Sequence, residues 1–245
     1  MGIGAGKGKG SSKTQGRRLL ARPLDSLFFL LPLIAFYEVA CLLLDMPDPQ
    51  GADHRVVAFH LLQGLFNLLG TGFAWMPGFA VVVILLATQL VSRQPWRFRR
   101  KAVGLMYFEA VAWALPLIAV NHFTRMAAGT LMASTWVGDA ALCVGAGIYE
   151  ELVFRLVLIS LLVMIGADLL RFPQDATIVA AVFLSAIVFA LHHHPPLGGE
   201  PFSAVRFVFR CIAGVYLGGI FVFRGYGPAA GAHIAHNLLI LAFAD

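Results

Sequence analysis

The sequence predicts an all-α fold, a polytopic membrane helix bundle with about seven transmembrane helices, and three observations carry that expectation. Apolar residues make up 59% of the 245 residues, against roughly 45–50% in soluble domains. Charged residues are only 13%, and mean hydropathy is +0.81. The apolar residues also gather into runs of about 20, the length that crosses a bilayer core ~30 Å thick. No soluble fold of this length has interior enough for so much hydrocarbon.

Residues 1–22 are rich in Gly, Ser and Lys and read as a disordered basic tail. "GIGAGKGKGSSK" is not a phosphate loop, because neither Gly-Lys pair is followed by Ser or Thr. Gly6 stands where myristoylation prefers Ser or Thr. The first span, 26–44, is followed by "CLLLDMPDPQ" rather than a small-x-small cleavage site, so it is expected to be retained. The run 56–70 is shorter and amphipathic, which suits an interfacial or re-entrant segment.

The second span is 73–92 and the third 102–121, with "RQPWRFRRK" (93–101) between them. A first basic cluster (Lys7, Lys9, Lys13, Arg17, Arg18 and Arg22) precedes span one, with no acid before Asp25. Both clusters on the cytoplasmic side, two crossings apart, put the N-terminus in the cytoplasm of a multi-pass cell-membrane protein. The net charge of +5 lies beside the spans, so the expected partner is membrane lipid and not nucleic acid.

Span four, 138–166, is too long for one flat crossing. Either it is strongly tilted or a short separate helix around "LMASTWVGDA" precedes it. Spans 176–194, 206–223 and 228–244 complete the bundle, joined by short turn-rich connections such as "GADLLRFPQD", "HPPLGGEPFS" and "RGYGP". Residues 23–245 form one integral domain with no defensible repeat. Cys41, Cys143 and Cys211 lie in apolar spans without metal-ligand spacing and read as small buried hydrophobes.

Within span four, "GIYEELVFRL" (147–156) places Glu150, Glu151 and Arg155 where charge is least welcome. Unpaired, three such groups cost on the order of 8–10 kcal/mol. Glu151 and Arg155 are four apart on one helical face and can pair. Glu150 lies about 100° round the helix without such a partner. "FALHHHPP" (189–196) adds His192, His193 and His194, of which one or two can face any one site. "HIAHNLLI" (233–240) puts His233 and Asn237 on one face, with His236 a step round.

Each group has a bland alternative: a packing pair, an interfacial cap before Pro195, and a satisfied interhelical hydrogen bond. Together they supply a carboxylate, imidazoles and a carboxamide from three spans, an inventory that suits hydrolysis. Two arrangements stay open. A Glu–His pair can activate water while His and Asn stabilise an oxyanion, or one Glu and two His can hold zinc with an open position for water.

These residues resemble a known family. "EELVFR" fits EExxxR, "FALHH" fits FxxxH and "HIAHN" fits HxxxN, in the order found in the CAAX-protease and bacteriocin-processing (abortive-infection) family of intramembrane proteases. The resemblance spans about 135–245, including "GVYLGGIFVFRGYGPAAGAHIAHN". It implies an intramembrane endopeptidase acting on a membrane-associated or lipid-anchored protein or peptide. Glu150 would be the base that activates water, His193 its partner, His233 and Asn237 the oxyanion stabilisers, and Glu151 and Arg155 the support. Glu150, His193 and His233 are also the implied zinc ligands, so the family is consistent with either no cofactor or zinc. His192 and His194 match no motif position.

A non-enzymatic scaffold or bacteriocin-immunity protein, and a proton-coupled transporter, are the competing functions. Span counting sets Glu150 mid-helix, His193 at the outer end of its span and His233 near the opposite end of its own. Convergence then demands tilted or re-entrant backbone around 138–150 and 190–205, where Gly145, Gly147, Pro195 and Pro196 permit it.

Overall fold

Helix is what this composition must form against lipid, because no water is there to satisfy backbone N–H and C=O groups. The computed structural model describes residues 22–44, 57–68, 70, 76–123 and 135–243, and among them it has eight helices and no strand. They are α1 (Pro23–Leu43), α2 (Val57–Leu68), α3 (Met76–Val91), α4 (Arg100–Phe123), α5 (Trp136–Leu169), α6 (Gln174–Leu191), α7 (Ala204–Arg224) and α8 (Tyr226–Ala242). Seven coincide with the seven runs expected from sequence, their ends within three residues. Five of them (α1, α4, α5, α6 and α7) are long and apolar enough to cross a membrane. α2, with 12 residues, is about 18 Å long and too short to span. The basic tail before Arg22 lies outside the described residues.

The long fourth run is one helix of 34 residues, about 51 Å if straight. It is therefore tilted or bent across a ~30 Å core, and no separate short helix breaks it from Trp136 onward. Its start is set locally: the Thr135 hydroxyl accepts the Gly138 N–H at 3.1 Å, and Asp139 sits in the first turn. Directly after Glu151 the backbone widens to π-helix over Leu152–Ile159, and again over Met164–Leu169. Such widening is frequent at functional sites.

α8 is the central helix and packs on α4, α5, α7 and α1. It begins one residue after α7 ends, and Gly225 (φ 93°) makes that turn in the left-handed region where only glycine is unstrained. α5 approaches α8 at Gly147, where a Cβ would meet the Ile234 side chain, the Ile234 nitrogen at 2.9 Å and the Ala230 carbonyl at 3.1 Å. That closeness brings the glutamates of α5 within reach of the histidines of α8. Phe29, Leu30, Tyr37, Val81, Leu85, Ile148 and Tyr149 fill the core beneath them. α6 and α7 run antiparallel, with Ala186 against Gly214 and Val182 against Gly218. Large apolar side chains such as Leu42, Leu90, Phe108 and Phe223 stand exposed on the outside, as a lipid-facing surface requires.

Candidate active site

α5, the turn after α6, and α8 bring the polar groups together. Glu150, His193, His233 and Asn237 all line one cavity of about 260 Å³. The four motif residues therefore meet in space, as the resemblance implies. Asn121 of α4, His236 of α8, Glu200 of the α6–α7 connection and Arg210 of α7 line the same cavity, with Leu117, Leu142, Leu217 and Ile240 among its apolar walls.

The Glu150 carboxylate is ringed by imidazoles. His192 Nε2 lies 3.6 Å and His193 Nε2 3.9 Å from Oε1, and His233 Nε2 lies 3.8 Å from Oε2. Each ring is fixed from behind. Nδ1 of His192 and of His193 contact the Phe189 carbonyl at 2.5 and 2.9 Å, and His233 Nδ1 contacts Glu151 Oε1 at 2.9 Å. A carbonyl or carboxylate oxygen only accepts, so each Nδ1 carries the hydrogen. In the neutral rings the Nε2 lone pairs then face the carboxylate. Three imidazole nitrogens and a carboxylate converge, which is stable only with a proton, a water or a cation among them. Ligand atoms of Glu150, His192 and His193 lie within 4.8 Å of one another.

His192, which matches no motif position, also lies beside Glu150. α6 stops at Leu191, and the following turn sets the rings of His192 and His193 side by side, centroids 4.0 Å apart. His192, 1% exposed, stands behind Glu150. His194 turns away and donates through Nδ1 to the Glu200 carbonyl at 3.1 Å.

Glu151 and Arg155 form the expected pair, Nε to Oε2 at 3.0 Å, with both side chains wholly buried. Glu151 does more than that expectation held, because its other oxygen orients His233. The Arg155 guanidinium also lies over the Phe189 ring, 4.3 Å from the centroid. Phe189 thus holds Arg155 with its face and two imidazoles with its carbonyl. On α8, His236 Nδ1 contacts Asn237 Oδ1 at 3.1 Å, which leaves the Asn237 amide hydrogens for the cavity.

Glu200 and Arg210 were not singled out from sequence. Arg210 donates from Nη1 and Nη2 to the two Glu200 oxygens at 2.9 and 2.8 Å. Burial alone would push the Glu200 carboxyl up, but Arg210, with Arg206 beside it, outweighs burial and holds it below the usual carboxylate range. Their signal in sequence is weak: a Glu in a Pro/Gly-rich turn and an Arg inside an apolar run, ten residues apart.

Fold and site define a multi-pass membrane protein with a buried carboxylate–imidazole–carboxamide cluster among its helices. Residues 132–239 match the family of type II CAAX prenyl endopeptidases, Rce1-like. That match takes in Glu150, Glu151, Arg155, His192, His193, His233 and Asn237, agrees with the motif resemblance, and indicates a protease. No curated protein and no solved structure gives a significant match to the chain.

Proposed function

We propose that the protein hydrolyses a peptide bond near the lipid-modified end of a membrane-associated protein or peptide, with a prenylated CAAX terminus as the substrate class. The reading rests on one observation: Glu150 faces three imidazole Nε2 atoms within 3.6–3.9 Å, at a cavity that also holds Asn237.

Amide hydrolysis needs an activated water, a donor for the oxyanion and a proton for the leaving amine. Water between Glu150 and His193 gives its proton to Glu150, and its oxygen forms a bond to the scissile carbonyl carbon. The carbonyl oxygen gains the electron pair and meets the Asn237 amide hydrogens. His233, with its Nδ1–H on Glu151, becomes a second donor once its Nε2 is protonated. When the C–N bond breaks, Glu150 returns the proton to the nitrogen. The donor set also fits a divalent cation such as zinc, since each Nδ1 is engaged and each Nε2 lone pair is free. Glu150, His192 and His193 would hold it, and it would supply Lewis-acid polarisation of the water.

A cytoplasmic N-terminus in a cell membrane follows from the basic clusters. The test is cleavage of a prenylated CAAX peptide by purified protein in nanodiscs. Glu150→Ala and His193→Ala should insert normally and leave no activity, and full activity in either overturns the assignment. Metal content of the active preparation, with activity before and after chelation, separates zinc-dependent from metal-free hydrolysis.

A further inference from the structure

We propose that Arg210 receives the free C-terminal carboxylate of the substrate, and that Glu200 occupies this place until substrate arrives. The inference rests on the peptidase reading and adds the group that selects a chain terminus. Arg210 is the lone Arg or Lys among the described residues lining the cavity. A peptide bound there with its end free brings a negative charge beside Glu150, and Arg210 is the permanent cation that the described cavity lining offers it. The guanidinium already grips a carboxylate through both forks, at 2.9 and 2.8 Å, the geometry a terminal carboxylate would reproduce.

The present occupant is suited to exchange. Glu200 reaches in from the connection between α6 and α7, and its side chain is 34% exposed. A second partner waits for it: Arg206 Nε lies 3.7 Å from Glu200 Oε2 and is buried without a hydrogen bond. Moving Glu200 from Arg210 to Arg206 satisfies that donor and opens Arg210, so neither charge is stranded. The same connection carries His193, and the Glu200 N–H donates to the His193 carbonyl at 3.2 Å. Arrival of a chain end is thereby coupled to the backbone that holds an imidazole of the site. Leu117, Leu142, Leu217 and Ile240 give the aliphatic residues of such an end an apolar wall.

The experiment uses one peptide, an S-farnesyl cysteine followed by three aliphatic residues, made as the free acid and as the C-terminal amide. Wild-type protein in nanodiscs should cleave the acid at least tenfold better in kcat/KM, with the difference mainly in KM. Arg210→Gln should erase the preference, Arg210→Lys should keep part of it, and Glu200→Gln should lower KM for the acid by removing the internal competitor. Equal cleavage of acid and amide by the wild type, which needs no variant to fold, overturns the proposal. So does a preference that survives in Arg210→Gln.

Binding of both peptides to Glu150→Gln gives a readout independent of turnover. If the wild type cleaves neither peptide while this variant binds the acid at least tenfold tighter, Arg210 keeps its role and the peptidase reading fails. Equal binding of acid and amide overturns the role of Arg210 whatever the turnover.

Discussion

Two sets of buried or half-buried charges in this protein differ in how completely they are neutralised. Between α4 and α7, Glu109 accepts from Arg224 Nε at 2.5 Å, from Arg224 Nη2 at 2.7 Å and from Trp113 Nε1 at 3.0 Å. Asp25 likewise holds Arg99 across the starts of α1 and α4. Each of these carboxylates has a fixed, always-charged partner and nothing left to exchange. Glu150 instead faces ring nitrogens beyond hydrogen-bond distance, at 3.6–3.9 Å. A closed pair fastens helices, whereas an open carboxylate keeps room for a species that comes and goes.

The sharpest way to break this contrast is to neutralise one member of each set. Glu150→Gln should lower peptide cleavage about a thousandfold, within the range for a general base, and should leave unfolding in detergent unchanged or shifted toward higher stability. Glu109→Gln should do the reverse, costing roughly 1–3 kcal/mol of stability with cleavage nearly intact in the surviving fold. Comparable loss of cleavage in both variants would erase the distinction.

Glu151→Gln tests the boundary between the two sets, because Glu151 both neutralises Arg155 and orients His233. It leaves a wholly buried guanidinium without its counter-charge, for which about 3–5 kcal/mol is expected. Activity should fall along with stability, as read by denaturant unfolding and cleavage on one preparation. A smaller effect is expected at Gly147, where the new methyl of Gly147→Ala meets backbone atoms of α8. About 1–3 kcal/mol of overpacking strain should come with slower cleavage, because α5 and α8 carry opposite sides of the site.

The smallest effect concerns the rim. Glu200 is depressed in the folded protein, so its contribution to stability is fully present above the ordinary carboxylate range. It is lost as pH falls through the lowered folded value. Thermal unfolding of the wild type should therefore weaken with acid in a way that Glu200→Gln lacks. An identical acid profile for the two proteins would contradict the rim pairing.

Much of this was legible in the sequence because lipid imposes strict rules. Length and hydropathy fix the spans to within three residues, and charge inside a span marks Glu150, Glu151 and Arg155 at once. The i,i+4 spacing yields the Glu151–Arg155 pair even though the helix widens there. What the chain hides is set by turns. His192 joins the site because α6 ends at Leu191 and the chain folds two adjacent rings together, which no helical wheel anticipates. Glu200 resembles a solvated turn residue until the connection folds it onto Arg210. The dual role of Glu151 depends on how closely α8 approaches at Gly147, a distance that periodicity does not encode.

The most direct measurement is cleavage of a prenylated peptide in ¹⁸O-labelled water by purified wild-type protein and by Glu150→Gln, both shown to be inserted and folded. Wild type should release a fragment whose new carboxylate carries one labelled oxygen, and Glu150→Gln should release about a thousandfold less of it in the same time. Unlabelled product, or the same yield from the variant, would contradict water activation at Glu150.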